Sequence, residues 1–462
     1  MTTEKLQEIL ALAKIDEQVK GLQETSFDKL PKWTDLVKQY DPKQHKIWDT
    51  NVYPIKMNEN QQDDFKRTAF ALQKLAVSRI AQMMFATPVQ RVYSFNKDSK
   101  TQAQAADILE ELYRMRNFID SENVERGKML NASCQVATVW WTYDRPDIIN
   151  EIPITKKLSH KSYAEIDGYS LYPITDDNGE LLVLSIAWTS SSDIEFMVTY
   201  TAAPSIQAIK YQKGEKGWEI IDKQVLTIFP VIYANISEPV WGGDDGTNLV
   251  EQMEEMESYD GMYIKRNSAP TFTLDYGDTT GGKPGTTEEK SDDSRRIIRL
   301  GKGGAMNDVT WPGAGESLTN RFQRLRNAFF EQVQMPDISF ANLINSNTSA
   351  ENKELLFSDA KSKARDLGGE WEKLFYAEIE IVKEFAKVIF PQFAEDFANI
   401  QVRSVIKPYS IKNTKENAEY VNTAGGAMSL NTKVRILDEV DDVDEEVLKI
   451  QEEQNTQSNQ LI

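Results

Sequence analysis

At 462 residues the chain exceeds the length at which a single hydrophobic core usually stops growing, so several domains are expected. It is 40% hydrophobic and 27% charged, and nine tryptophans with seventeen tyrosines argue against disorder over most of the length. A net charge of −19 argues against a protein that grips nucleic acid by neutralising phosphates, but not against one that lets DNA pass without sticking.

Cys134 is the single cysteine, which rules out an intramolecular disulfide and a cysteine-based zinc cage; within the apolar run Ala132 to Trp141 it reads as a small buried residue. His45 and His160 are the only histidines, and each reads as a surface or hydrogen-bonded residue rather than a ligand. The first residues, Met-Thr-Thr-Glu-Lys, hold no signal-type apolar core, and no run reaches the ~18 apolar residues that span a bilayer. The expectation is a cytoplasmic protein when made, soluble or particle-bound later, with no membrane partner and no cofactor.

In chain order, Leu6, Ile9, Leu10 and Ala13 share the spacing of one helix face, and the helical start of the chain stops at Tyr40-Asp41-Pro42. Residues 43–60 read as irregular. A helix is expected from Gln61 to Phe85, on Phe65, Phe70, Leu72, Leu75, Ile80, Met83 and Met84. A short strand follows over 89–96, then helices over about Gln102–Arg116 and Phe118–Ala132. Gln135 to Tyr143 is rich in β-branched and aromatic residues and predicts a strand.

Further strands are expected over Tyr169–Pro173, Glu180–Thr189, Asp193–Thr201, Ser205–Gln212 and Trp218–Lys223. Turn signals at Asp176 to Gly179 and Lys213 to Gly217 make them consecutive antiparallel hairpins. Residues 225–243 form a hinge: an apolar strand, then a turn with the pair Gly242-Gly243.

The centre of the chain reads helix, excursion, helix, loop, long helix. The first helix runs from Asp244, with Leu249, Met253, Met256 and Tyr263 near one face and Glu251, Glu254, Glu255, Glu257 and Asp260 over the rest. A Gly/Pro/Thr-rich excursion from Pro270 to Gly315 holds a flexible tip, Thr279 to Thr286, and a strand, Ser294 to Leu300, with three arginines. Gly301-Lys-Gly-Gly304 lacks the residue order of a phosphate loop, so no nucleotide site is assigned. The second helix, about Glu316 to Gln334, carries an apolar stripe of Leu318, Phe322, Leu325 and Phe329 flanked by Arg321, Arg324 and Arg326. The pair is either two solvated amphipathic helices or a charge-matched contact between neighbouring copies.

A polar loop, Pro336 to Thr348, then leads into one long helix that opens on the capping-box pattern Thr348-Ser-Ala-Glu351 and ends at Phe390-Pro391. Its expected buried face is Leu356, Ala360, Ala364, Leu367, Trp371, Leu374, Glu378, Ile381, Phe385 and Val388. The pair Gly368-Gly369 predicts a kink or a close helix contact. A strand over Asn399–Ile406 and helices over Lys415–Met428 and Lys433 to about Glu453 complete the chain, and the polar residues from Gln451 onward are expected to fray.

The ordered set resembles the portal proteins of tailed bacteriophages, from about Asn51 to Glu453. Pro230-Val-Ile-Tyr with Glu238-Pro and Asp244 to Asp260 is similar to the entry into a first stem helix. Gln334-Met-Pro-Asp-Ile-Ser339 with Asn345-Ser-Asn-Thr-Ser349 is similar to a tunnel loop and the start of the long helix. Val434 to Glu446 with Ile450-Gln-Glu-Glu453 is similar to a closing crown helix.

The resemblance implies an α+β portal fold with an α/β wing (1–243 and 349–410), stem helices 244–266 and 316–335, a small α/β clip (267–315), a tunnel loop (336–348), a long kinked helix and a helical crown (411–462). It implies a ring of copies of the chain, usually twelve, at one vertex of the virion, assembled in the host cytoplasm with major capsid and scaffold proteins. The clip would face the terminase large subunit and then the head-tail adaptor, and double-stranded DNA would pass through the channel.

Candidate tunnel-loop residues are Asp337, Ser339, Asn342, Asn345, Ser346 and Asn347. Candidate stem or channel charges are Glu251, Glu254, Glu255, Asp260, Lys265, Arg266, Arg321 and Arg324. Candidate clip contacts to a partner or DNA are Arg295, Arg296, Arg299 and Lys302, which read equally as a solvated strand face.

No catalytic or metal residue is expected. A second reading is another head-tail connector or baseplate ring protein. A third, a metal-dependent nuclease on Asp244, Asp245 and Asp260, meets a geometric obstacle: Asp245 and Asp260 stand about 22 Å apart along one helix.

Overall fold

The computed structural model describes residues 3–25, 30–55, 65–96, 98–267, 272–275, 288–290, 296–300, 314–336, 357–408, 414–437 and 443–460. Two compact units emerge, Met1–Ile338 with Asp359–Tyr409, and Ser339–Ser358 with Ser410–Ile462. The mixed α+β class expected from the sequence is observed.

The first unit opens with three short helices, α1 (Thr3–Leu10), α2 (Ile15–Glu24) and α3 (Trp33–Tyr40), the last ending where Asp41-Pro42 predicts. The helix expected from Gln61 is shorter. Residues 65–71 are non-helical and α4 spans Leu72–Phe85. The reason is local: the Thr68 N–H donates to Ser258 Oγ (3.0 Å) and the Phe70 N–H to Glu254 Oε1 (2.7 Å). Side chains of a distant helix thus satisfy backbone groups that a helix would have used internally.

Strand β1 (Gln90–Ser94) is followed by α5 (Lys100–Glu110), whose Ser99 hydroxyl accepts the Gln102 N–H, then a π turn at Glu111–Met115 and α6 (Ile119–Ser133).

Strand β2 (Gln135–Ile149) runs well past Tyr143 and pairs with β3 (Ile152–Tyr163), which the sequence did not suggest. Asn150 and Glu151 join them, both at positive φ (47° and 65°), as the twist of a two-residue hairpin requires. Repeated lysines blur the alternation of β3, and its turn lacks the usual glycine.

Strands β4 (Tyr169–Thr175), β5 (Leu181–Thr189), β6 (Glu195–Thr201), β7 (Gln207–Gly214) and β8 (Gly217–Val225) form the expected antiparallel meander in sequential order. Strand β9 (Val231–Asn235) leaves that sheet and pairs with β2 instead. Period-two alternation gives the meander two buried faces. Val183, Met197, Ile209 and Tyr211 pack with Leu6, Val19 and Leu22 of the N-terminal helices. Leu171, Leu184 and Ile186 pack on Ala137, Val139 and Val231.

Helices α7 (Gly243–Asn267) and α8 (Ala314–Val333) bracket three short strands, β10 (Phe272–Asp275), β11 (Glu288–Lys290) and β12 (Arg296–Leu300). Strand β12 lies between the other two, parallel to β10 and antiparallel to β11.

Helix α9 (Ser358–Ile389) is the long one, and its end at Phe390-Pro391 is as expected; the capping-box start lies outside the described residues. It runs unbroken through Gly368 and Gly369, and among the described residues nothing lies within 4 Å of where a Cβ would stand on either, so the expected close contact is not found among them. Its buried face also differs. Ala360, Ala364, Trp371, Leu374 and Glu378 are buried as predicted, but then Ile379, Val382 and Ala386 follow, while Val388 is exposed. A period of 3.6 drifts against strict three- and four-residue steps over this length.

Helix α10 (Ala394–Asn399) leads to β13 (Gln401–Val405), which pairs antiparallel with β1. One core packs α5, β2, β3, α9 and α10 around Trp140, Tyr113, Phe390 and Phe397.

The second unit contains α11 (Thr414–Ala424), α12 (Leu430–Leu437) and α13 (Val443–Gln460). The single helix expected over Lys433–Glu453 is described as two, with 438–442 outside the described residues. Helix α13 continues to Gln460, through the segment expected to fray.

Candidate functional site

Gly242 and Gly243, both at positive φ (78° and 57°), turn the chain from β9 into α7. A Cβ on Gly242 would stand 2.8 Å from Gln332 Nε2, the movable end of an exposed side chain, so it is the positive φ that calls for glycine at the hinge. Trp241 beside it is fully buried and donates from Nε1 to Gln39 Oε1 (3.0 Å), while Gln39 Nε2 donates to Asp244 Oδ1 (2.7 Å). Asp244 and Asp245 occupy the first turn of α7, where negative charge favours the helix dipole.

Higher on α7, Glu254 is buried. His45 Nδ1 lies 2.6 Å from its Oε1, the Phe70 N–H donates to the same oxygen, and His45 Nε2 lies 2.8 Å from the Gln39 carbonyl. Lys46 donates to Glu251 Oε2 at 3.2 Å. The root of α7 is therefore tied to the segment 39–70 by carboxylates.

This corrects the assignment of Glu254 as a channel charge: it faces the protein's own interior, and its carboxylate is the acceptor for a backbone N–H outside any helix or sheet. An acidic run spells a solvated face and a buried acceptor alike, so composition could not separate them. His45 is hydrogen-bonded as expected, but buried.

Helix α8 packs antiparallel to α7, with Gly242 beside Gln332 and Gly246 beside Phe329. Its predicted stripe is graded: Phe329 is buried, Leu325 and Phe322 are half-buried, and Leu318 is 40% exposed. Phe322 packs edge-on to Phe70, and both Arg326 and Arg79 lie over the Phe330 ring. Arg321 and Arg324 are exposed, Glu257 is exposed, and Glu255 and Asp260 are half-exposed.

Lys265 and Arg266 fall in the last turn of α7, with side chains outside the described set. Arg296 and Arg299 are backbone members of β12, while Arg295 and Lys302 lie outside the described residues. The tunnel-loop candidates Asp337, Ser339, Asn342, Asn345, Ser346 and Asn347, and the tip Thr279 to Thr286, also lie outside them.

A second polar cluster sits where α6, α9, β2 and β3 converge. Arg126 and Glu378 are both fully buried and form a two-pronged pair (2.7 and 3.1 Å). Tyr113 Oη donates to Glu378 Oε2 (2.6 Å), Trp140 Nε1 to Oε1 (3.1 Å), and Arg126 also reaches Asn123 Oδ1. Burial pushes the Glu378 carboxyl upward, but Arg126 and these hydrogen bonds outweigh it and hold it below its usual value. His160 stacks on Trp140 with centroids 4.6 Å apart. Burial holds it below its ordinary value, reinforced by Arg126 and partly offset by Glu378.

Such an arrangement fixes helices and strands in place; it has no nucleophile paired with a base. Burial pushes the Cys134 thiol up to about 12, so it is an inert core residue, as predicted. Among the described residues no group of three or more His, Cys, Asp or Glu could hold a metal, so Asp244, Asp245 and Asp260 form no such site. No helix among those residues is long and apolar enough to cross a membrane.

The span 235–460 matches the family model described as phage portal protein, SPP1 Gp6-like. The C-terminal part of the chain, just under half of it, is thus similar to phage portal proteins. No curated protein matches it. The matched span opens at Asn235, the last residue of β9, and takes in the α7–α8 pair, the segments between and after them, α9 and the helices of the second unit. That similarity supports a structural, non-catalytic role of the kind portal proteins have, in a ring around a DNA channel.

Proposed function

We propose that this chain forms the ring through which double-stranded DNA enters the head during packaging and leaves during ejection. The observation carrying this reading is the family match, which begins at the root of α7 and spans the whole helix–excursion–helix–loop–helix series. In this reading α7 and α8 are the stem. Residues 267–315 are the clip that docks the terminase large subunit and later the head-tail adaptor, and residues 411–462 are the crown. Residues 336–348 form the tunnel loop at the narrowest point, and the remainder is the wing, in contact with capsid and scaffold.

The charge of −19 suits such a channel. Duplex DNA carries a phosphate charge every ~1.7 Å of axis, and an attractive wall would hold it by counterion release rather than let it slide.

Native mass spectrometry and negative-stain imaging of the purified chain, with scaffold protein supplied, should show rings with a central opening. A monodisperse monomer at every concentration would overturn the reading. Deleting Asn342–Asn347 is expected to impair DNA packaging while rings still form; loss of rings would make that loop an assembly element.

A further inference from the structure

The contact between His45 and Glu254 fixes a proton count. Nε2 of the ring lies 2.8 Å from the Gln39 carbonyl oxygen, which can only accept, so Nε2 carries a hydrogen. Nδ1 lies 2.6 Å from Glu254 Oε1. A neutral ring with its hydrogen on Nε2 offers a lone pair at Nδ1, and a carboxylate oxygen offers lone pairs too. One further proton must therefore lie between the two atoms, whichever of them owns it. The same Oε1 accepts the Phe70 N–H at 2.7 Å, and both side chains are buried.

The counts on either side of this one are unfavourable. Without the proton, lone pairs face each other and a negative charge is left in the interior. With a second proton the pair is cationic. The added hydrogen then falls on Glu254 Oε2, a buried atom with no hydrogen-bond partner among the described residues.

The charged groups around the pair are engaged elsewhere: Glu251 with Lys46, Asp244 with Gln39, Asp41 with Lys74 of α4, and Arg67 with the Ile47 and Tyr53 carbonyls. Burial holds the Tyr40 and Tyr53 hydroxyls above their ordinary value, and the Glu255 and Glu251 charges add to this at Tyr53. Tyr259 of α7 meets Phe65 edge-on, and α8 presents the Phe322 ring to Phe70.

What the pair fastens is a strap, residues 39–55 and 65–70, laid on α7. Its other ties are the Thr68 N–H to Ser258 Oγ (3.0 Å) and Lys46 to Glu251 (3.2 Å). Phe70 touches α8, and α4 opens two residues later at Leu72, so the strap joins α7 and α8 to α4.

We propose that His45 and Glu254 are a proton-operated latch: one shared proton closes the strap on α7, and its loss frees the strap and loosens the seat of α7. The latch works within one chain and needs no neighbouring copy. In the open strap both groups behave as free side chains. A free imidazole is neutral above about pH 6.5, and a free glutamate carboxyl is neutral below about pH 4.3. Between those values the open and closed forms hold equal numbers of protons. Above about pH 6.5 closing takes up one proton, so opening gains about tenfold with each further pH unit. Below about pH 4.3 it is opening that takes one up, and the strap loosens again.

Amide hydrogen exchange of the full chain tests the latch, read by mass spectrometry and corrected for the chemical exchange rate at each pH. In peptides containing Thr68 and Phe70, protection is expected to be level from pH 5 to pH 6 and to fall by about tenfold per unit from pH 7 to pH 9. Helix α6 should keep its protection over the same range. Glu254→Gln keeps the shape of the side chain and gives the neutral ring a neutral partner, so its strap should show one level of protection throughout. His45→Gln replaces the other member and carries the same expectation. Level protection from pH 5 to pH 9 in the natural chain would overturn the latch. So would an equal fall in both variants, which would put the proton elsewhere. A fall shared by α6 would overturn it too, because the whole unit rather than the strap would be opening.

Discussion

Arg126 and Glu378 lie 252 positions apart and meet with neither side chain exposed to water. Removing one partner strands the other charge in the interior, so Arg126→Met is expected to destabilise the first unit by roughly 3–5 kcal/mol. Arg126→Met combined with Glu378→Leu should recover much of that loss, since no charge is left unpaired; denaturant unfolding of both variants measures the difference.

The same cluster sets an acid limit. His160 titrates below 6.5 in the folded protein, so its protonation favours the unfolded chain and stability falls as pH drops from about 6.5 toward the folded value. Glu378 titrates below 4.5, so its contribution is complete above about 4.5 and is lost as pH falls further. Unfolding temperatures from pH 8 to pH 3 should show two successive declines, and His160→Phe should remove the upper one. Glu378 was visible in the sequence as a member of the buried face of its helix. Its partners were not, because pattern along one helix says nothing about which residue 252 positions earlier arrives opposite.

Helix α9 carries Gly368 and Gly369 at its centre with open space around both. Glycine in a helix interior costs about 0.5–1 kcal/mol relative to alanine, so Gly368→Ala and Gly369→Ala should each raise stability by that amount. A loss of rings in either variant, with the folded chain stabilised, would show that a neighbouring copy uses the space.

At this scale much was legible: the meander from its turn residues, α5 and α6 from their periodicity, and the end of α9 from Phe390-Pro391. What escaped was structure made by long-range partners. Residues 65–71 carry a helical hydrophobic pattern, yet they bond to Ser258 and Glu254. The apolar strand of the hinge was legible, but not that β9 leaves the meander to pair with β2. On α7 the acidic run was in view from the start, whereas the inward turn of Glu254 needed the position of His45.

For the whole molecule, the family match covers α7, α8, α9 and the helices of the second unit, and leaves the N-terminal 234 residues to be read from physics alone. Those residues are nonetheless built into the same compact unit. Strands β1 and β13 pair residues 90–94 with 401–405, and the core around Trp140 draws on both α5 and α9.

That closure has a consequence for biosynthesis. A ribosome adds about 5–20 residues per second, so Arg126 waits on the order of 10–50 s after its own synthesis before Glu378 exists to meet it. Throughout that interval Trp140, Tyr113 and the apolar face of α5 lack the helix that covers them. The nascent chain must carry an unmatched guanidinium and an open hydrophobic seam through most of its translation. Holding that seam apart from the seams of neighbouring nascent chains is a task for the host's chaperones, and it precedes any assembly of copies.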